Sequence, residues 1–267
     1  MSPTWFLKPG FRARPVRETR PAAPLHTQGG LASDHFRGAT CTTCEHPLLL
    51  IWTLDREDPR FERIVARSHR RQATDFARWK RHRFLPLLYC WRCATDMTYR
   101  LVSQNRIEVL DQRSGEPSED FPYANYPDGF EEHALELEPI PEDMRASYDL
   151  ACNQEGWLDD EQTTRLAEWL DCDPQRIASG FPPPVLQVGG IPQLAQGKET
   201  LQCKNPKCEH HTEDDMDWSK PFLRVFAVVH DHEELPMVHD DGTTMTVQVV
   251  FWTCIDCHSI RAVNRCD

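Results

Sequence analysis

The stretch Cys203-Lys204-Asn205-Pro206-Lys207-Cys208 is followed, after 45 further residues, by Cys254-Ile255-Asp256-Cys257. An earlier stretch repeats this order, since Cys41-x2-Cys44 precedes Cys90-x2-Cys93 by the same 45 residues. Two cysteines in a tight turn can point at one metal ion, so two such turns together supply the four thiolates that zinc prefers. The spacing therefore predicts two structural zinc ions, held by Cys41, Cys44, Cys90 and Cys93, and by Cys203, Cys208, Cys254 and Cys257.

The surroundings of the cysteines repeat as well. A Gly-Gly pair precedes each first turn, Glu-His follows it, and an apolar run comes next, Pro47 to Leu54 in one copy and Pro221 to Val229 in the other. A second apolar run leads into each later cysteine pair, Phe84 to Tyr89 and Val247 to Trp252. Short apolar runs of this kind are typical of buried strands. The pattern predicts two copies of one antiparallel β unit, each stapled by its zinc site.

Other assignments for the cysteines remain open. Redox disulfides are the main alternative, although neither Cys-x2-Cys lies in the strand-to-helix setting of a thioredoxin-like motif. His46 in the first site, and His210 or His211 in the second, are candidates to replace a thiolate ligand. Cys152 and Cys172 are interpreted as buried or partly buried structural thiols, and the sequence supports no prediction for Cys266.

Composition limits the class of protein. The chain has 267 residues, a net charge of −12 and an isoelectric point near 5.5, which argues against a general nucleic-acid binder. It contains no apolar run near the ~20 residues of a membrane helix, and its first residues lack the apolar core of a secretion signal. We therefore expect a cytoplasmic protein with reduced cysteines and no membrane partner.

The expected fold is mainly β (α+β), in two repeated units joined by an acidic linker and a short helical bridge. Met97 to Val102 and Arg106 to Leu110 are predicted as two further strands, with a turn between them. The predicted organisation is a basic, proline-rich arm at 1–28, a first unit at 29–115 with a basic insertion at 56–83, an acidic linker at 116–157, a helical bridge at 158–180, and a second unit at 181–267.

The insertion at 56–83 carries ten Lys or Arg residues against four Asp or Glu. Phe61, Val65, Phe76 and Trp79 are spaced roughly as one face of a helix, which predicts a solvated hairpin tip with a small apolar seam. The alternative is a docking element for an acidic partner or for RNA, in which Trp79, Arg81 and Arg83 are the candidate contacts because aromatic rings among cations can stack on bases.

Residues 111–161 hold sixteen acids and two arginines. Leu135 and Leu137 alternate with Glu136 and Glu138, which predicts a half-exposed strand, and the rest is interpreted as linker. An acidic surface attracts basic proteins. The candidate partner-binding acids are Glu131, Glu132, Glu136 and Glu138. A second hypothesis is that this segment covers the basic insertion of the first unit.

Residues 158–180 are the clearest helical stretch. Asp159 is a predicted N-cap with Gln162 three residues later, and Asp173 and Pro174 are predicted to begin a second short helix. Two helices joined by a tight turn also resemble a helix-turn-helix, but the acidic first helix would repel phosphates. We therefore expect a bridge that packs Trp169 on the β units.

Gly189-Gly190-Ile191-Pro192-Gln193-Leu194-Ala195-Gln196 resembles the Gly-Gly-x-Pro-x-Trp-x-Gln signature of bacterial YwqG-like proteins and eukaryotic programmed-cell-death-2 proteins. In both groups, related β domains carry this motif before a cysteine pair, an apolar strand and a later cysteine pair. The chain departs from the signature at Leu194, which replaces the aromatic residue, and at Leu31-Ala32, where the first copy lacks the proline. The resemblance spans 29–110 and 185–265, and it implies a duplicated zinc-binding β fold and a binding role of chaperone or immunity type.

These observations favour a non-enzymatic, zinc-stabilised protein-binding module that engages a basic partner. The alternative is a nucleic-acid-binding zinc protein that acts through the insertion at 56–83. An enzyme would need an open metal site or a nucleophile with a base, and the sequence shows neither motif. The His- and Asp-rich turn at 230–241 is the only candidate for such a site, and we interpret it as a solvated loop.

Overall fold

The computed structural model describes most of the chain. The described residues are 10–16, 26–61, 82–112, 123–153, 157–178, 186–190, 194, 200–215, 217, 219–230, 247–254 and 256–266.

The described residues form one curled antiparallel sheet of eleven strands. The strands are β1 (Phe11–Val16), β2 (Thr27–Leu31), β3 (Leu49–Asp55), β4 (Phe84–Tyr89), β5 (Met97–Ser103), β6 (Arg106–Gln112), β7 (Gly129–Pro139), β8 (Gln187–Val188), β9 (Arg224–His230), β10 (Val247–Thr253) and β11 (Ile260–Cys266). Their order across the sheet is β4-β3-β2-β7-β1-β8-β9-β10-β11-β5-β6. The predicted mainly β class is therefore confirmed, and the apolar runs around the cysteines are strands β3, β4, β9 and β10.

The sheet order places similar strands on either side of the central pair β7 and β1. Strands β4, β3 and β2 follow one another on one side of that pair, and β8, β9 and β10 follow one another on the other side. A cysteine turn precedes β3 and another follows β4, and the same holds for β9 and β10. Both Gly-Gly pairs have positive φ angles, 81° and 90° at Gly29 and Gly30, and 65° and 77° at Gly189 and Gly190.

The sheet curls until its two ends meet. Tyr99 on β5 is fully buried, and its hydroxyl donates to the carbonyl of Pro86 and accepts from the amide of Leu88, both at 2.9 Å. Strand β4 is the first in the sheet order and β5 the last but one. A side chain thus satisfies backbone groups at the open edge of β4, where a further strand would otherwise bond. Strands from both ends therefore share one core.

Burial on both faces explains why β10 is almost wholly apolar. Val249 and Phe251 face the main core inside the curled sheet. Val250 and Trp252 face a second core, which lies under the loop that carries Cys203. Each side chain is at most 1% exposed, so the strand has no solvent face on which alternation could appear.

Strand β1 corrects the prediction of an arm at 1–28. Phe11 and Ala13 are buried, and β1 pairs with β7 along its whole length and with β8 at its start. Pro15 fits because it lies beyond the end of β8, on the side of the strand where the amide of Ala13 bonds to Leu186 at 2.7 Å. Among the described residues, no ladder hydrogen bond is lost to the proline there. The proline and arginine residues of this segment are not typical of a central strand, so the sequence alone did not predict one.

Strand β7 differs from the predicted linker at 116–157. It is eleven residues long and lies between β2 and β1 near the centre of the sheet. The predicted alternation holds, since Leu135 and Leu137 are 2% exposed while Glu136 is exposed. Glu136 and Glu138 lie opposite Arg14 and Arg12 of β1, so charges of opposite sign meet across the two strands.

The described part of the chain also contains four α-helices with both ends described, one 3-10 helix, and three helical residues at 59–61. The helices with both ends described are α1 (Ala32–His35), α2 (Arg145–Asn153), α3 (Asp160–Leu170), α4 (Pro174–Ala178) and the 3-10 turn Tyr123–Asn125. The capping box predicted at Asp159 and Gln162 is present, with the Asp159 carboxylate accepting from the Gln162 amide at 2.8 Å. Helix α4 begins at Pro174 as predicted.

Trp169 fastens α3 to the sheet, as the sequence predicts. Its indole N–H donates to Glu138 at 3.2 Å, and the Arg12 guanidinium lies 5.5 Å from the centroid of its ring. Arg12 also donates to the Trp169 carbonyl. Helices α2, α3 and α4 share one core and therefore pack on the face of β1 and β7 that lies away from the main core. No helix in the described part of the chain is long and apolar enough to cross a membrane.

Candidate metal centres

The first cysteine cluster lies where β3 begins and β4 ends. Leu49 pairs with Tyr89 in the sheet, so the turn that precedes β3 and the turn that follows β4 lie side by side. The Sγ atoms of Cys41 and Cys93 are 3.6 Å apart, and those of Cys44 and Cys90 are 3.7 Å apart. Antiparallel pairing therefore brings together cysteines that are distant in sequence.

The second cluster is built in the same way at the start of β9 and the end of β10. Arg224 pairs with Thr253, and the amide of Leu223 bonds to the Leu201 carbonyl at 2.7 Å, which ties the Cys203 loop to β9. The Sγ atoms of Cys203 and Cys257 are 3.6 Å apart. Those of Cys208 and Cys254 are 3.8 Å apart.

These separations fit a shared metal ion and not a disulfide. A tetrahedron with a metal–sulfur distance near ~2.3 Å has edges of about 3.8 Å. A disulfide would bring two sulfurs to ~2.05 Å, and all eight cysteines are free thiols. Within each cluster the four Sγ atoms lie within 4.8 Å of one another. Each cluster can therefore hold one ion in an all-sulfur site.

Three of the cysteine turns share one backbone conformation. The residue after each Cys-x2-Cys has a positive φ, 61° at Glu45, 47° at Ala94 and 54° at His258. Its amide bonds to the carbonyl of the first cysteine, at 3.1 Å for Glu45, 2.9 Å for Ala94 and 3.1 Å for His258. Non-glycine residues rarely adopt this conformation, which costs about 1 kcal/mol each. The tight turn aims both thiols at the same point.

Gln112 and Ser259 hydrogen-bond to the sulfurs, and sequence reasoning missed both. The Gln112 side-chain N–H₂ group donates to Cys41 Sγ at 3.0 Å. Ser259 Oγ lies 3.1 Å from Cys257 Sγ and 3.6 Å from Cys203 Sγ. Such partners orient ligands and stabilise thiolate charge. Ser259 follows Cys257 by two residues, so the sequence could have suggested it as a neighbour of the sulfurs. Gln112 is 71 residues from Cys41, and no local pattern predicts its position.

Electrostatics within each cluster favours one thiolate over the others. The side-chain hydrogen bond with Cys90, helped by backbone amides and Gln112, lowers the pKa of Cys41 to about 4. Burial raises the pKa of Cys93 and of Cys208 to about 12. Hydrogen bonds from Cys203 and Cys254 likewise hold the pKa of Cys257 far below its usual value. A divalent cation would favour the thiolate form of all four sulfurs, and this donor set suits zinc or iron.

The three candidate histidines are directed at carboxylates and do not replace a thiol. His46 lies 3.5 Å from Asp128, His211 lies 3.0 Å from Glu213, and His210 contacts Asp256. Glu209, His210 and Asp256 form a further group of potential metal ligands, mostly near the surface beside the second cluster. Both main clusters are therefore made of cysteine alone.

The remaining cysteines are placed only in part. Cys172 is half-buried against the helical core, as predicted, and burial raises the pKa of its thiol. The side chains of Cys152 and Cys266 lie outside the described residues, and so does the turn at 231–246.

The candidate partner-binding residues form three groups, one of which lies outside the described residues. Trp79 and Arg81 lie outside the described residues, together with the rest of 62–81, so the predicted helical seam and the nucleic-acid hypothesis stay predictions. Glu136 and Glu138 face the arginines of β1. Arg83 and Glu132 line one cleft, and Glu131 lies next to Glu132 with its side chain 86% exposed.

Comparisons with protein-family models, with curated proteins and with solved structures returned no match.

Proposed function

We propose that both cysteine clusters bind zinc and that the ions are structural. Four thiols surround each site, so a bound tetrahedral ion has no open position for water or substrate. Each ion would join the start of one strand to the end of its neighbour, and structural zinc contributes on the order of 10 kcal/mol to folding in small domains. The zinc sites hold the fold, and activity must lie elsewhere on the surface.

The arrangement of strands supports an internal duplication. The two triplets of strands on either side of β7 and β1 have the same sequence order, cysteine turns at the same ends, and Gly-Gly pairs of positive φ. Descent from one ancestral unit explains all three features together. We therefore propose a place beside the YwqG-like and programmed-cell-death-2-like proteins, for which the motif at Gly189 to Gln196 is the sequence support.

The function we propose is non-enzymatic binding of a basic protein, of chaperone or immunity type. The observation that carries it is Trp157, which is 93% exposed at the approach to α3. Asp159, Asp160 and Glu161 follow it and are all exposed. Exposed tryptophans are enriched among the residues that dominate binding energy in protein interfaces. The net charge of −12 adds long-range attraction for a basic partner.

The test is capture of partners by the full-length, tagged protein from extracts of its own cells. We expect the captured proteins to be strongly basic and to be released as salt rises, since screening weakens charge attraction. Trp157→Ala should reduce capture about tenfold or more. Val102→Ala is the matched control, because Val102 is also an exposed apolar residue, at 37%.

Two results would overturn the proposal. One is a captured set no more basic than the whole proteome. The other is equal loss of capture in Trp157→Ala and Val102→Ala, because the effect would then not belong to the surface around Trp157.

A further inference from the structure

A cleft of about 460 Å³ opens on the side of the molecule that carries β2, β3, α1 and the turn between β5 and β6. Its walls combine charged, amide and aromatic side chains. The lining residues are Thr27, His35, Phe36, Thr53, Glu57, Arg83, Phe84, Gln104, Asn105 and Glu132. The cleft is separate from both cysteine clusters and from the surface around Trp157.

Among the described residues, carboxylates outnumber cations in this cleft. Arg83 is the one arginine in the described part of the wall, and it already bonds to the buried Asp55 at 3.0 and 3.2 Å and lies 3.3 Å from Glu57. Glu132 is the second lining carboxylate, 3.3 Å from His35. Three carboxylates, those of Asp55, Glu57 and Glu132, thus meet one guanidinium in the described part of the cleft, and they would repel an incoming anion.

The wall also shows how a guanidinium fits here. The Arg83 guanidinium lies 5.0 Å from the centroid of the Phe84 ring while its nitrogens bond to Asp55. Stacking on an aromatic ring combined with forked bonds to a carboxylate is a geometry that arginine achieves and lysine does not. The side-chain carboxylates of Glu57 and Glu132 are 64% and 29% exposed, so both remain accessible from solvent.

We propose that this cleft receives an arginine side chain of the basic partner. The inference rests on the proposed function and adds to it a second, specific contact. The incoming guanidinium bonds to Glu132 and Glu57, and Arg83, which also bonds to Asp55, neutralises these carboxylates only in part. Charge-assisted bonds of this forked kind favour a planar guanidinium over a compact ammonium.

The test is an NMR titration of the full-length, metal-loaded protein with Nα-acetyl-arginine amide. Nα-acetyl-citrulline amide is the matched probe, because citrulline has nearly the same shape as arginine and no charge. We expect the arginine probe to shift backbone amide signals of cleft residues such as Thr53 and Asn105 in a saturable way. The citrulline probe should leave them in place, and Nα-acetyl-lysine amide should bind several-fold more weakly.

Variants locate the contact. Glu57→Gln and Glu132→Gln should each weaken arginine binding at least threefold, since each removes a charge from the cleft. Glu168→Gln, which removes an exposed carboxylate from α3, should leave binding unchanged. The amide spectrum of each variant also reports whether the fold is intact.

Three results would overturn the inference. They are no saturable shift up to about 50 mM probe, a range that covers weak single-residue contacts; equal shifts with citrulline; or a loss of arginine binding in Glu168→Gln as large as in Glu57→Gln and Glu132→Gln. Its failure is distinguishable from failure of the proposed function. Loss of partner capture in Trp157→Ala would uphold partner binding even if arginine did not enter the cleft.

Discussion

At the residue scale, the atoms next to the sulfurs would decide how firmly a bound ion is held. Gln112 donates to Cys41 in the first cluster, and Ser259 lies beside Cys257 and Cys203 in the second. These groups donate hydrogen bonds or lie within reach of the thiolate, so their removal leaves negative charge less well stabilised. The two clusters therefore provide matched controls for each other.

Gln112→Ala should weaken zinc binding at the first cluster about tenfold or more, which is the usual effect of removing a hydrogen bond to a ligand. Ser259→Ala should do the same at the second cluster only. Competition with a coloured chelator, monitored for the two zinc ions separately, measures both. Equal weakening of both clusters by either variant would show that the effect is general destabilisation.

Asp58 is the clearest source of pH dependence among the described carboxylates. Burial alone would raise its pKa, but hydrogen bonds from His26 at 2.8 Å and from Arg60 at 2.6 Å hold the pKa well below its usual range. A carboxylate with a lowered pKa in the folded state stabilises the fold at pH values above its unfolded pKa of ~3.9. That stabilisation is lost as the pH falls toward the folded value.

Asp58→Asn should therefore lower the free energy of unfolding by about 2 kcal/mol above pH 5. The difference in unfolding free energy from the unmodified protein should narrow below about pH 4, because Asp58 takes up a proton there in the unfolded chain while the folded protein keeps its carboxylate. Urea denaturation of both proteins across this range measures the difference, and acid release of metal affects both alike. Asp143→Asn, at a carboxylate that is 62% exposed, is the control. A difference between Asp58→Asn and the unmodified protein that widened in acid would contradict the stabilising role assigned to Asp58.

At the scale of elements, local patterns predicted some strands and helices well and missed others entirely. Strand β4 spans the predicted Phe84 to Tyr89, because its apolar run is bounded by basic residues and a cysteine turn. The capping box of α3 was readable because it acts over three residues. Strand β1 could not be predicted in this way. Phe11–Val16 forms a strand because it pairs with β7, more than a hundred residues away in sequence, and its arginines face outward.

The central position of β1 can be tested with two neighbouring substitutions. Ala13 is 3% exposed beneath the sheet, so Ala13→Asp would bury a charge and should lower the free energy of unfolding by several kcal/mol, on the order of 3 or more. Arg14 is exposed on the other face, and Arg14→Ala should cost about 0.5 kcal/mol. Chemical denaturation measures both values. Equal, small effects would support the basic, proline-rich arm that the sequence predicted.

At the scale of the whole molecule, the sheet joins the two halves of the chain. Strand β1 pairs with β8, and β5 pairs with β11, so the four strands β8 to β11 of the second half lie between two groups of strands from the first half. Arg261 adds a buried link, since it bonds to Asp215 near the second cluster at 2.7 Å and to Asp96 near the first at 3.0 Å. Such long-range pairing has no signature in the sequence, so the sheet order could not be predicted. The cysteine sites could be predicted, because their signal is the spacing of the cysteine pairs.

Continuity of the sheet predicts one cooperative unfolding transition. Cys44→Ser and Cys208→Ser each remove a ligand from a different cluster, and each should lower the melting temperature of the entire molecule by ten degrees or more, at roughly 2–4 °C per kcal/mol for a chain of this length. Circular dichroism and calorimetry should report the same single midpoint. Two separate transitions, with only one moved by each variant, would instead mean that the halves fold independently.

The most direct test of the eight-thiolate arrangement is elemental analysis of the folded, purified protein. Two zinc ions per chain are expected, falling to about one in either Cys44→Ser or Cys208→Ser, because on the proposed assignment each cluster binds its own ion. A fully folded sample that contains no metal, or one whose metal content is unchanged by both substitutions, would contradict the proposal that zinc staples this fold.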